Sequence, residues 1–235
     1  MNAWKAKRVW KAATAEPCDG GYTVRLDGRG VRTPAKNPLV VPNMKIADRI
    51  AAEWAAQEGE VRPLTMPFTR SANAAIDKVA PQRHEVAEIL AAYGDSDLIC
   101  YRAEAPGELV DRQNRAWDPL LDWSAEVLNA PLQKHVGVTH VPQPAASLAG
   151  LARHVHAQPP FRLTALHDLV ALSGSLVIGL AVALNRLDSG PAWAASRLDE
   201  AWQIENWGED DEAARFAAEK ELAFRHAAEF FRLAG

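Results

Sequence analysis

The chain has only two cysteines in 235 residues, Cys18 and Cys100. Thiols so far apart build neither a disulfide framework nor a zinc knuckle, so both are expected to be free in a reducing compartment. An excess of one charge is also missing: 26 Lys and Arg face 30 Asp and Glu, a net charge of −4. The basic residues are scattered, which argues against nucleic acid as a partner. The one basic run, residues 5–11, is interleaved with Trp4, Val9 and Trp10 and reads as a charged strand or arm. No uninterrupted apolar segment opens the sequence, and no long Arg/Ser-rich leader, so no targeting segment is expected. The uncharged stretch 169–185 falls just short of the ~18–20 residues a membrane span needs. Asp168 and Arg186 flank it closely, and it reads as a helix buried in a bundle rather than a membrane insertion.

Motifs for chemistry are equally sparse. No phosphate-binding P-loop is present, and Gly28-Arg29-Gly30 lacks both a third glycine and a following helix. Ser173-Gly174-Ser175 lacks the glycine spacing of a nucleophile elbow. His154 and His156 are two apart, which on a helix points them to different faces, whereas zinc pairs favour three or four. His135 and His140 flank a short extended piece with no cysteine nearby, and His167-Asp168 stands at the start of the buried helix. Asp95 and Asp97 follow Gly94 and suit either a magnesium or acid–base site or, preferably, a cap on the next turn. Cys100 sits among Leu98, Ile99 and Tyr101 and reads as core. No cofactor and no metal are expected. A small-molecule enzyme with a carboxylate or histidine site stays as the alternative.

The patterning is that of an α+β protein. Residues 8–14 alternate loosely, Tyr22 to Leu26 alternates cleanly, and Asp27-Gly28 is a type I′ hairpin signal leading to a return strand over 29–33. Residues 39–41 make another short strand. Asn43 is an N-cap for a helix to about residue 58, with Ile46, Ile50, Ala51 and Trp54 as its apolar stripe and Gly59 as its stop. Trp54 is therefore a structural residue. Further helices are expected over 68–78, 81–92, 109–128 (kinked at Pro119), 145–156, 164–185, 192–207 and 210–233. Elements of β and α type do not alternate, which excludes a doubly wound sheet. The expected organisation is a small N-terminal antiparallel β domain, residues 1–78, with one or two helices, followed by a larger all-helical domain, residues 79–235.

The segment 197–212 stands out by elimination. It holds two tryptophans and seven carboxylates around Gly208, a glycine placed to end one helix. Asp210, Asp211 and Glu212 begin the next helix, where its positive end favours them. Asp199, Gln203 and Asn206 share one side of the preceding helix, with Glu200 and Trp207 beside them and Leu198 and Trp202 turned to the core. Glu205 adds charge near Trp207. From spacing alone this is equally a solvated face or a protein-binding patch.

RLDEAWQIENWG at 197–208 resembles the C-terminal signature of the Atp-twelve family, assembly chaperones for the alpha subunit of the ATP synthase catalytic head. Further blocks follow in the family's order: Glu53, Trp54 and Gln57; Pro63 to Thr69 and on to Asp77; Tyr93 to Arg102; and Gln113, Trp117, Asp118 and Pro119. The resemblance spans almost the whole chain. It implies a non-enzymatic chaperone that binds unassembled alpha subunit, prevents its aggregation and yields it to the beta subunit. It implies no ATP use, and a monomer when free. Mitochondrial members, which work in the matrix, carry a presequence; its lack here implies a bacterial form acting in the cytoplasm. By the resemblance, Asp199, Glu200 and Gln203, with Glu205 and Trp207 beside them, are the client-binding or functionally sensitive positions, and Trp54 and Gly208 the structural ones.

Overall fold

The computed structural model describes residues 7–235. Trp4, Lys5 and Ala6 of the basic run lie outside the described residues. The fold is α+β, as expected: a three-stranded antiparallel sheet near the N-terminus, with 62% of the described residues helical. Contacts divide it into two compact units, residues 1–83 with 160–164 and 230–235, and residues 84–159 with 165–229.

In the first unit, β1 (Ala13–Cys18) pairs with β2 (Gly21–Leu26), which pairs with β3 (Arg29–Gly30). The register runs from Ala13 opposite Leu26 to Cys18 opposite Gly21. Asp27 and Gly28 both take positive φ, 47° and 80°, as the I′ turn requires. The first strand lies at 13–18 rather than 8–14. It is an edge strand of small and polar residues with Pro17 in it, so its alternation is faint. The return strand keeps only two paired residues. Isolated bridges from Arg32 to Pro38 and from Tyr22 to Val41 continue the pairing.

Helix α1 (Met44–Ala55) begins where expected, with the Asn43 side chain accepting from Ile46 N at 3.1 Å. It stops short of residue 58, and Gly59 (φ 65°) lies beyond it. Arg8 explains that end: its Nη1 donates to the carbonyls of Ala55 (2.8 Å) and Gln57 (2.6 Å), which have no partner further along the helix. Helix α2 (Pro67–Ala74) runs into a π turn, Ala75–Val79. Met66 at its N-terminus makes no side-chain cap. The Glu53 carboxylate takes that place, accepting from Phe68 N (2.6 Å), Thr69 N (2.8 Å) and Thr69 Oγ1 (2.7 Å). Burial still pushes the Glu53 carboxyl above its ordinary range, these bonds opposing it.

The second unit is built from α3 (Arg83–Ala91), α4 (Gly107–Val127), α5 (Ala145–His156), α6 (Pro160–Ser173), α7 (Leu176–Ala183), α8 (Ser189–Ser196), α9 (Leu198–Trp207) and α10 (Asp211–Leu233), apart from the terminal turns assigned to the first unit. A two-residue parallel pairing joins β4 (Tyr101–Arg102) to β5 (His135–Val136). Helix α4 continues through Pro119.

Two helices expected to be continuous are each broken. The stretch 164–185 divides at Gly174, whose φ of 71° is left-handed, and Ser175 caps α7 by accepting from Ile178 N at 3.0 Å. Both halves are apolar around most of their circumference, so periodicity carries no mark of the break. The break allows close packing: a Cβ on Gly179 would stand 2.6 Å from Val170 Cγ2. The stretch 192–207 divides at Arg197, where ψ of 16° ends α8 and offsets α9. Among the described residues, no helix is long and apolar enough to cross a membrane.

Candidate functional site

Helix α9 is anchored by one side. Trp202 is 8% exposed, and the Arg112 guanidinium of α4 lies 4.7 Å from its ring centre. The same guanidinium pairs with Glu205 at 2.7 Å. Trp117 Nε1, also on α4, donates to Ala195 O at 2.8 Å, holding the end of α8 that leads into α9. Gly208 ends α9 with φ 90° and ψ 167°, a region essentially closed to other residues. Asp210 is the cap of α10 rather than part of its first turn, accepting from Glu212 N (3.1 Å) and Ala213 N (2.8 Å).

The five sensitive positions of this segment fall into two sets. Asp199 is half-buried, and its Oδ1 accepts from Gln113 Nε2 at 2.7 Å. Gln113 is 1% exposed and in turn accepts from Ala103 N at 2.8 Å through Oε1. Glu200 pairs with Arg197 at 2.7 Å, and Glu205 with Arg112. These three carboxylates thus have partners within the unit. Gln203 and Trp207 are exposed, Trp207 at 78%, and Ile204 beside them at 43%. Spacings of three and four place Gln203, Ile204 and Trp207 on one face of α9.

Gln113 is the residue that reading by elements passes over as a site member. Its signal is a polar side chain on the stripe of α4 that otherwise buries Trp117, Leu120 and Leu121. A buried amide on an apolar stripe needs partners, and Asp199 is one of them.

Trp54, expected in the core, is half-buried. Its ring meets Trp10 edge-on at 5.1 Å, and Trp10 Nε1 donates to Trp54 O at 3.3 Å. Ile46, Ile50 and Ala51 of the same stripe are buried, so it is the Trp54 ring at the end of the stripe that meets the N-terminal arm, which a helical pattern alone does not locate.

The alternative chemistry separates on inspection. Asp95 and Asp97 do not share a site. Asp95 accepts from Gln143 N at 2.8 Å and lies 3.2 Å from His140 Nε2, while Tyr101 Oη is 3.3 Å from His140 Nδ1. This half-exposed set fastens the loop before α5. Asp97 is fully buried and accepts from Ile99 N (3.2 Å) and Val177 N (2.9 Å), capping both the turn Leu98–Cys100 and α7. Burial pushes its carboxyl up to about 6 against those bonds and one from Ser175. Burial, with the Asp97 charge beside it, pushes the Cys100 thiol to about 12, so it is no nucleophile. His167 is a mid-helix residue of α6, its basicity raised by a hydrogen bond to Asp168. A surface cavity of about 300 Å³ beside α4 is lined by Asp118, Asp122, Leu121 and Lys134. Lys134 (3.1 Å) and Arg102 (2.9 Å) already neutralise Asp118 there. His154 and His156 do not act as a pair: His156 reaches Glu88 at 2.7 Å, with His84 beside it.

A family model described as ATP12 chaperone protein matches residues 7–125. The crystal structure of Atp12 from Paracoccus denitrificans is 48% identical, with a TM-score of 0.95 over 99% of this chain and 100% of that one. A solved protein of Agrobacterium tumefaciens is 41% identical, with a TM-score of 0.93 over 97% of this chain and 86% of its own. Protein atp12, mitochondrial, of Schizosaccharomyces pombe is 24% identical over 88% of this chain and 75% of its own.

Proposed function

The chain belongs to the ATP12 chaperone family, and on that premise we propose that it is an assembly chaperone of the ATP synthase catalytic head. Its client is the unassembled alpha subunit, which it keeps from aggregating until the beta subunit takes its place. A subunit of an alternating ring exposes large apolar interfaces before assembly, and such surfaces self-associate. The cover must come off again, so a standard-sized, partly polar interface suits the task better than an obligate apolar one.

The observation that carries the proposal of a contact face is the exposure of Trp207 and Ile204 beside Gln203 on a helix held rigidly from behind. An aromatic anchor rimmed by polar groups is the usual make-up of an interface centre. In this reading Gln203 and Trp207 touch the client, while Asp199, Glu200 and Glu205 hold α9 in the orientation that presents them. The protein acts without catalysis, as a monomer when free, and in the cytoplasm, in keeping with its likeness to bacterial proteins.

The test is direct. Purified chain mixed with isolated alpha subunit should form a complex on size-exclusion chromatography and suppress light scattering on warming. Added beta subunit should displace it. Absence of a complex with alpha subunit that is demonstrably soluble would sink the proposal.

A further inference from the structure

We propose that His84, Glu88 and His156 form a binding site for a zinc-class divalent transition metal that clips α3 to α5. His84 and Glu88 stand four apart on α3, one above the other on the same face. His156 closes the set as the last residue of α5. Its Nε2 lies 2.7 Å from Glu88 Oε1, and the two imidazole rings are 5.3 Å apart. One ligand atom from each residue falls within 4.8 Å of the others, and no other group of three or more such side chains does so among the described residues. Bonds of about 2.0–2.2 Å to a tetrahedral ion place donors a little over 3 Å apart, so small side-chain rotations bring all three to the ion.

The donor set selects the metal class. Two imidazoles and one carboxylate suit Zn²⁺ and its transition-metal neighbours, whereas Mg²⁺ and Ca²⁺ take oxygen sets. His84 and Glu88 are exposed and His156 half-exposed, so the ion exchanges with solvent and keeps a water in its fourth position. Such a site is a reversible clip on the helical unit, independent of α9 and of the client reading. The pattern escapes a sequence scan because the two halves lie about seventy residues apart, and the neighbouring His154 is not a member.

The experiment uses the full-length, tag-free chain after chelator treatment, titrated with ZnCl₂ against a chromogenic chelator. One equivalent should bind. His84→Ala, His156→Ala and Glu88→Gln should each weaken binding by at least about tenfold, since even partners outside the ligand set are worth 10–100-fold. His154→Ala should leave it unchanged, and circular dichroism of each variant checks its folding. Substituted Co²⁺ should show visible bands of nitrogen and oxygen ligation without a thiolate charge-transfer band, which separates this site from the cysteines. Equal zinc affinity in the native chain and the His84→Ala/His156→Ala double variant would overturn the proposal.

Discussion

Asp199 and Trp207 sit on the same short helix yet should fail in opposite ways when removed. Asp199→Ala strips the acceptor from Gln113 Nε2, a 2.7 Å bond, and leaves a buried amide donor facing a gap. A charge-assisted hydrogen bond with one buried partner contributes roughly 1.5–3 kcal/mol. Asp199 is itself only half-buried, so water relieves part of the loss and the lower end, about 1.5 kcal/mol, applies. In a chain of 235 residues that lowers Tm by roughly 3–6 °C. Asp199→Asn, which keeps a carbonyl acceptor, should recover most of it. Trp207→Ala removes a side chain that is 78% exposed, so stability should change by no more than about 0.5 kcal/mol. Its binding to alpha subunit should weaken by about 30-fold or more, the scale of an aromatic anchor worth roughly 2 kcal/mol. Scanning fluorimetry gives the first quantity and a binding titration, well below Tm, the second. If Asp199→Ala melts with the native protein yet no longer binds, Asp199 is itself a contact and the division of α9 into holding and touching residues is wrong.

Asp97 gives a pH signature. Its folded pKa, about 6, lies above its ordinary 3.8, so its contribution is full below pH ~4 and is lost as pH rises through 6. At 1.36 kcal/mol per unit, the stability of the native protein relative to Asp97→Asn should fall by about 2 kcal/mol between pH 4 and 7.5 in urea titrations; a constant difference refutes the assignment. Gly150→Ala should cost at least about 1–3 kcal/mol. Its Cβ would stand 2.7 Å from Asn129 O and 3.1 Å from Leu128 O, backbone atoms that yield little. Gly208→Ala meets nothing within 4 Å, so its cost is backbone strain alone, about 1–3 kcal/mol at φ 90°. Native-state hydrogen exchange should show that loss as fraying at the end of α9, and uniform loss across the unit would contradict it.

Local rules were enough wherever one residue determines one conformation. Asn43 marks the start of α1, Asp27-Gly28 the hairpin, and the bounds of α5 agree to the residue. The α+β class follows from the change of apolar period, and spaced blocks of residues point to the family. The breaks at Gly174 and Arg197 were not legible. A helix apolar all round looks the same whether or not it is interrupted, and the atoms that favour the first break, the Asp97 carboxylate and Ser175 hydroxyl, come from packing and capping.

The candidate site shows the same division more sharply. Sequence by itself determined that acids and tryptophans cluster ahead of Gly208, because composition and helical spacing are local properties. Only the tertiary structure decided which of those side chains are already engaged. Gln113 lies 86 positions from Asp199, and Arg112 a comparable stretch from Glu205, yet each pair closes to 2.7 Å. Exposure and partnership depend on what a neighbouring helix brings to the same place, and that information is spread over residues that no local pattern connects.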